Sequence, residues 1–197
     1  MHLQINETLS VLGKWKEKGY RELKNGTEII CHVPKNGPEA WLHKIYAPLP
    51  EEAINVLERN VVTKKVPLVL KEFYRKMNGI NLFSDVFCVF GVRTSYVRTG
   101  DESIQPYDLI TPNLERHIEC PKSWLIFGSY SWDGSEVVMD TAELEYPKVF
   151  RIERWTTNIL QEWDSFSDWL NSETFRVQTL FDENGYRIDR SIPTVSL

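Results

Sequence analysis

A histidine and a cysteine lie three residues apart, at His117 and Cys120, a spacing that suits a thiol nucleophile activated by an imidazole. An imidazole within hydrogen-bond reach lowers the pKa of a thiol and so makes the reactive thiolate available. No recognised nucleophile motif surrounds Cys120, which precedes Pro121. We therefore interpret the pair as a loop cysteine beside a surface histidine. A hydrolase that uses His117 or an acidic cluster is an alternative of another class.

Three further residues, Cys31, His32 and His43, carry groups that bind metals. Zinc needs four converging ligands in a tetrahedral arrangement, and the sequence offers no second closely spaced pair. We therefore predict strand histidines and no metal site. The chain also lacks the glycine-rich phosphate loops and the GxSxG and HExxH motifs, which mark nucleotide-binding and hydrolytic sites. The sequence predicts no catalytic residue, no cofactor and no enzyme activity.

Residues 132–145 contain five acids and no lysine or arginine, a formal charge of −5 that equals the net charge of the whole chain. A cluster of such acids would present a negative patch to a basic partner. Acids at the ends of hairpins also serve solubility, so a solvated face is the other interpretation. Trp132, just before a turn, is either an exposed interface anchor or a partly buried aromatic of the sheet. The residues predicted to bind a partner are Trp132, Asp133, Glu136, Asp140, Asp101 and Glu102.

The overall composition is that of an ordinary soluble globular protein, with 197 residues, 42% hydrophobic and 26% charged. The acidic balance argues against coating nucleic acid, because phosphate binding needs clustered cations. The longest apolar stretches, such as residues 86–90, are far shorter than the ~20 residues of a membrane-spanning helix. Three widely spaced cysteines, together with a start that lacks a basic and then apolar region, indicate a cytoplasmic protein.

Hydrophobic spacing predicts the elements that position these residues. The predicted helices cover residues 6–19, 50–60, 66–77, 112–116 and a stretch that begins at Ser165, where S-x-x-D resembles a capping box. The predicted strands are a hairpin around Asn25-Gly26, residues 41–46, a buried strand over 86–90, and a meander over 124–130, 136–140 and 148–152. The pattern predicts an α+β single domain, with a mainly antiparallel sheet flanked by helices and an amino-terminal helix-hairpin extension.

Residues at the joints between these elements resemble the SUKH superfamily, which includes fungal cell-wall-synthesis regulators and many bacterial immunity proteins. The first part of the family pattern is matched by Val66-Pro67, Glu72-Phe73-Tyr74 and Asn78-Gly79. The later strand, strand and helix pattern is matched by residues 126–128, 137–140 and 166–170. The chain departs from the family in having Val66 for the usual leucine, and in its added amino-terminal segment.

The resemblance implies a SUKH-like domain over 48–172, after an extension over 1–47 and before a carboxy-terminal helix and tail over 173–197. It also implies a non-catalytic module that binds another protein. In bacteria such proteins usually block a toxin domain, often a nuclease, so we expect an immunity protein that contacts neither nucleic acid nor membrane. A regulatory scaffold for endogenous proteins, as in the fungal members, is the alternative. The sequence leaves open the oligomeric state and whether the hairpin extends the sheet.

Overall fold

The computed structural model describes residues 3–61 and 63–196 of the chain. The helices are α1 Asn6–Lys16, α2 Glu51–Asn60, α3 Leu68–Lys76, α4 Ile110–Leu114 and α5 Phe166–Gln178. The strands are β1 Tyr20–Glu22, β2 Glu28–His32, β3 Trp41–Ile45, β4 Ile80–Leu82, β5 Phe87–Val89, β6 Trp124–Tyr130, β7 Glu136–Asp140, β8 Val149–Ile152 and β9 Ile159–Trp163. Within these described ranges, no helix combines the length and the apolar character needed to cross a bilayer.

The nine described strands form one antiparallel sheet, in which the spatial order of the strands equals their order in the chain. The predicted α+β class, with a mainly antiparallel sheet flanked by helices, is confirmed. The amino-terminal hairpin extends this sheet, because β3 pairs with β4 through Lys44 opposite Asn81 and Ile45 opposite Ile80. The hairpin strands therefore lengthen the sheet, whereas α1 packs against β2 and α5.

The sequence analysis did not predict two of the strands, β4 and β9. β4 has three residues and pairs with β5 in a tight hairpin, so it is too short to display a period. β9 is an edge strand that exposes two consecutive apolar side chains, Ile159 and Leu160, so the alternation that marks a half-buried strand is missing. The strand predicted over 86–90 is the shorter β5, and it is fully buried as expected.

Helix α5 closes the core over one face of the sheet. The Ser165 hydroxyl accepts a hydrogen bond from the Asp168 N–H at 3.1 Å and donates to the Asp168 carboxylate at 2.7 Å. This confirms the capping signal read from the sequence. Trp169 is fully buried and meets Phe87 and Phe127 edge-on, with ring centroids 5.9 and 5.2 Å apart. The helix is thus fixed both at its amino terminus and along its inner face.

A buried polar network ties α5 to β6 and to the tail. The Trp169 indole donates to the Tyr130 hydroxyl at 2.9 Å, and that hydroxyl donates to Glu173 at 2.9 Å. Arg176 donates twice to Glu173, at 2.9 and 2.6 Å, and once to the Thr194 carbonyl at 2.7 Å. Burial raises the pKa of Tyr130 well above its usual value, so the hydroxyl stays protonated. Every bond in the network therefore has a defined donor.

The side-chain hydrogen bonds of Asn78 explain why an asparagine precedes Gly79. Its side chain accepts from the Val92 N–H and donates to the Val92 carbonyl, both at 2.7 Å. The Asn78 amide thereby satisfies both backbone groups of Val92, in the segment that follows β5. Gly79 has a φ of +96°, and a Cβ on Gly91 would lie 2.1 Å from the Asn78 carbonyl oxygen. Glycine is required at Gly91 because two backbone segments approach each other closely there.

Candidate interaction surface

Antiparallel pairing brings four connections to one end of the sheet, at residues 33–40, 83–86, 131–135 and 153–158. We call these four connections the hairpin end. Trp132 and Trp155 lie in the last two connections, and their side chains are 46% and 51% exposed. The strands fix the backbone on either side of each turn. The sheet therefore presents two large aromatic side chains to solvent on adjacent hairpins.

A cleft of about 390 Å³ opens beside these two hairpins. Ser129 and Glu136, which are paired across β6 and β7, line it. The other lining residues include Thr111 and Pro112 of α4, Glu115 directly after it, and Gly134, Arg154 and Trp155 of the turns. The Arg154 guanidinium carbon lies 5.0 Å from the centroid of the Trp155 ring, a cation–π contact. The cleft therefore contains two carboxyl groups, one guanidinium and an exposed indole.

Glu136 is the predicted site residue that enters this cleft. Burial raises the pKa of its carboxyl group, and the positive charge of Arg154 acts in the opposite direction. A carboxyl group that is withdrawn from water in this way gains from a cationic or hydrogen-bonding partner. Glu136 therefore presents a partly buried carboxyl group to the cleft, and its role in binding a partner stays a prediction.

The acids of residues 132–145 do not form the single patch that the sequence suggested. Asp133 and Glu136 lie at the hairpin end, whereas Asp140 ends β7, roughly 14 Å from Glu136 at 3.4 Å per residue. Asp133 and Asp140 each accept a backbone N–H two residues on, at 2.9 Å. Both acids thus shape turns at opposite ends of the strand. Whether they bind a partner stays a prediction.

Asp101 and Glu102 also lie apart from the hairpin end. They begin a short 3₁₀ turn, Asp101–Ser103, that packs beside the β1–β2 hairpin. The Asp101 carboxylate accepts from the Lys24 N–H at 2.9 Å, and its carbonyl accepts from the Asn25 side chain at 2.8 Å. The β1–β2 turn is at the opposite end of the sheet from Trp132. Asp101 therefore has a structural role in holding a loop against the added hairpin.

Trp132 also lines a second depression, of about 590 Å³, whose other lining residues are Lys35, Asn36, Arg187 and Arg190. We call this depression the basic groove. Its residues come from the β2–β3 connection, the β6–β7 turn and the tail, which are far apart in the chain. Sequence reasoning missed the groove because no local run of cations marks it. In the sequence Trp132 is followed by acids, and only the fold brings Lys35, Arg187 and Arg190 to it.

The histidine and cysteine pair does not have the geometry of a nucleophile. The His117 Nδ1 accepts from the Glu119 N–H at 3.3 Å, and the Cys120 N–H donates to the His117 carbonyl at 3.0 Å. Burial raises the pKa of the Cys120 thiol, and the nearby Arg116 offsets this in part. An activated thiol needs a lowered pKa. The structure agrees with a loop cysteine near a partly exposed histidine.

The other thiols and imidazoles serve packing. Burial raises the pKa of Cys31 to about 11 and that of Cys88 to about 12. His32 lies in β2, where its Nε2 is 2.9 Å from the Pro38 carbonyl oxygen and its ring lies against Trp41. Among residues 3–61 and 63–196, no three histidine, cysteine or acidic side chains converge as metal ligands would. The expected strand position is confirmed for His32 and for His43.

His43 is a buried, neutral imidazole. Its ring lies edge-on to Phe83 at 4.7 Å, and Trp15 lies 6.0 Å away. The Phe83 N–H donates to His43 Nδ1 at 3.4 Å, whereas Nε2 is buried without a hydrogen-bond partner in the described part of the chain. Burial alone lowers the pKa of His43 to about 3. The charged form is excluded from this site because nothing there compensates for lost hydration.

We expect His43 to make the fold less stable in mild acid. Below the unfolded pKa of 6.5 the unfolded chain takes up a proton that the folded chain refuses, so stability falls as pH falls, by about 2 kcal/mol at pH 5. Urea unfolding at pH 7 and pH 5 measures the loss. His43→Gln should remove this part of the pH dependence, and His32→Gln should retain it. Identical pH dependence in wild type and His43→Gln would contradict the assignment.

Comparison with known proteins identifies the family. Searches of curated proteins and of solved structures found no match to this chain. The model of the SMI1 / KNR4 family (SUKH-1) matches residues 48–172, which include α2 to α4, strands β4 to β9, the first turns of α5 and both exposed tryptophans. The family is one of protein-binding immunity and regulatory modules. Because the match extends over more than half of the sequence, this chain belongs to the SMI1 / KNR4 (SUKH-1) family.

Proposed function

We propose that this chain is an immunity protein that neutralises a cognate toxin domain by binding it directly, without chemistry of its own. The observation that carries the proposal is the pair of half-exposed tryptophans, Trp132 and Trp155, on adjacent hairpins. Tryptophan is enriched among the residues that contribute most to binding at protein interfaces. Side chains presented next to paired strands also lose little freedom on association.

Charge at the same surface supports a protein partner with basic groups. Glu115 and Glu136 line the cleft beside Arg154, so a cationic side chain entering there meets two carboxyl groups. A toxin that acts on nucleic acid carries such cations in its own binding groove. A standard interface buries about 800 Å² on each partner, a small part of the 10135 Å² surface of this chain. The hairpin end and the cleft together offer a surface of this kind.

A cytoplasmic location is part of the proposal. The three cysteines are free and buried in the structure, as is usual for proteins of a reducing compartment. Direct neutralisation there needs no cofactor and no contact with nucleic acid or membrane.

Co-purification from the native host, with the full chain tagged, identifies the partner and provides the complex for calorimetry. We expect Trp132→Ala to weaken binding by at least 30-fold, equivalent to about 2 kcal/mol, because hot-spot aromatics contribute on this scale. Tyr146→Ala is the matched control, since Tyr146 is a 59% exposed aromatic in the β7–β8 connection at the opposite end of the sheet. The control should bind like the wild type.

The identity of the captured protein separates the candidate functions. A protein that is toxic alone and harmless when co-expressed with this chain supports neutralisation. Capture of an endogenous protein whose activity is unchanged favours the regulatory scaffold. Equal affinity of Trp132→Ala and wild type rejects the hairpin end as the docking surface. Turnover by the purified chain, lost when His117 and Cys120 are both replaced, would overturn the non-catalytic proposal.

A further inference from the structure

We propose that the basic groove receives an acidic segment of the protein partner, whose carboxylates pair with Lys35, Arg187 and Arg190 while an adjacent side chain packs on Trp132. This inference rests on the proposed function, since it presupposes a partner at the hairpin end. It specifies the charge of the partner segment that enters the basic groove. The acids of residues 132–145 suggested a uniformly basic partner, whereas the groove calls for the opposite charge on one side of Trp132.

The tail fixes the groove cations in place. Its residues 180–188 form a tight hairpin, in which the Asp182 N–H donates to the Tyr186 carbonyl at 2.8 Å and the Ile188 N–H donates to the Leu180 carbonyl at 3.0 Å. Gly185, with a φ of +81°, sits so close to β2 that an added Cβ would lie 3.0 Å from the Cys31 Sγ. The tail is therefore packed against the sheet, and it carries Arg187 and Arg190 to the side of Lys35.

The three cations have no carboxylate bonded to them within the described residues. The Lys35 ammonium lies 4.8 Å from the centroid of the Tyr186 ring and forms no salt bridge there. Arg187 Nη2 donates to the carbonyls of Asp189 and Ile192 at 2.8 and 2.6 Å, and its Nε is buried without a partner. Arg190 makes no hydrogen bond or ion pair in that part of the chain. Lys35 and Arg190 thus offer both charge and hydrogen-bond donors to an incoming carboxylate, and Arg187 adds its charge.

The pKa of Arg187 supports the same view. Burial lowers it, the adjacent charge of Arg190 lowers it further, and Asp189 opposes both. The charge of Arg190 disfavours the Arg187 cation because like charges repel, although the larger effect of Asp189 acts against it. A carboxylate seated between them would relieve this repulsion, and it would satisfy the donors of a planar guanidinium in the geometry that arginine prefers.

Acidic groups around the groove select a short segment over a long polyanion. The Asp182 and Asp189 carboxylates accept hydrogen bonds from residues of their own turns at 2.7–2.9 Å, and these acids lie beside the groove cations in sequence. The whole chain has a net charge of −5. A nucleic acid that extends beyond the groove would meet these charges, because its phosphates repeat along its length. A peptide with a few acids beside an apolar residue meets only the cations and Trp132.

Fluorescence anisotropy with labelled probes tests the inference on the full chain. The probes are the peptide Asp-Glu-Tyr-Asp-Glu, a peptide in which lysine replaces each acid, and a twelve-nucleotide oligouridylate. We expect the acidic peptide to bind best, with an affinity that falls as salt rises. The double variant Lys35→Glu/Arg190→Glu should bind it at least tenfold more weakly. Lys65→Glu/Lys122→Glu makes the same change in charge at exposed positions away from the groove and should change the affinity less than twofold.

Three results overturn the inference: no binding of the acidic peptide by wild type, tighter binding of oligouridylate or of the lysine peptide, or an equal loss in both double variants. Failure here is distinguishable from failure of the proposed function. If Lys35→Glu/Arg190→Glu still captures and neutralises the toxin with wild-type affinity, the groove is not part of the interface, yet neutralisation stands. If wild type binds the acidic peptide but captures no toxin, the neutralising role fails.

Discussion

Replacing Glu173 with alanine is expected to lower the free energy of unfolding by about 3 kcal/mol, the lower part of the range for breaking a buried ion pair. Glu173 is 2% exposed, and its carboxylate accepts from Arg176 and from the Tyr130 hydroxyl. Its removal leaves the Arg176 guanidinium without a counter-charge and the Tyr130 hydroxyl without an acceptor. Because the Arg176 side chain is 30% exposed, water recovers part of the loss. Urea unfolding at pH 7 measures the change.

Two further variants serve as references for the loss of unfolding free energy in Glu173→Ala. Glu173→Gln keeps one acceptor oxygen and the shape of the side chain, so we expect an intermediate loss, because Arg176 loses its counter-charge and one of its two acceptors. Glu162→Ala removes an exposed carboxylate that pairs with Lys148, the residue before the neighbouring strand β8, and exposed pairs contribute less than about 1 kcal/mol. If Glu173→Ala were no more destabilising than Glu162→Ala, the network would not be a main support of α5.

Replacing Gly91 with alanine is expected to cost about 3 kcal/mol, the upper end of the range for overpacking. The new Cβ would lie 2.1 Å from the Asn78 carbonyl oxygen and 2.6 Å from its side-chain oxygen. Because the clashing atoms include backbone, relief requires the segment after β5 to move away from α3. That movement would also break the two hydrogen bonds between Asn78 and Val92. Chemical denaturation with tryptophan fluorescence reports the loss.

Gly13→Ala is the matched control for the glycine prediction. Gly13 lies within helix α1, and among the described residues no atom beyond its own stretch of helix lies within 4 Å of an added Cβ. Alanine is a better helix former than glycine by about 1 kcal/mol, so this variant should be slightly more stable than wild type. Opposite signs for the same chemical change would separate crowding at Gly91 from a general effect of adding a methyl group. A neutral effect at Gly91 would argue against the close approach of the two segments.

The elements predicted correctly are those whose signals lie within one local stretch of chain. The capping residue Ser165 and the apolar stripe of α5 mark that helix without help from the rest of the fold. The meander of β6 to β8 is likewise visible from its strand and turn residues. The Asn-Gly step at Asn78 supplied a family landmark, but its physical reason, the pairing with Val92, emerges only when β5 is in place.

The interaction surface was harder to predict, because proximity along the chain does not imply proximity in a sheet. Asp133 and Asp140 are close in sequence, yet the length of β7 separates them. Lys35 and Arg190 are far apart in sequence, yet both line the basic groove beside Trp132. Counting charges within a short stretch of sequence therefore detects the acids of residues 132–145 but not the cations of the basic groove. Strand pairing and the docking of the tail, which depend on the whole fold, determine which charges meet.

The strand order of this sheet has a consequence for how the chain folds. Each described strand pairs only with its neighbours in the chain. Except at the two long connections, 46–79 and 90–123, the sheet can therefore grow by closing short hairpins, at a lower entropic cost than pairings between distant strands. Contacts between α1 and α5 are different, since the Thr8 hydroxyl donates to Asn171, 163 residues away. We expect this contact between α1 and α5 to form after the strands have paired, because it joins residues far apart in the chain. Weakening it should therefore speed unfolding more than it slows refolding.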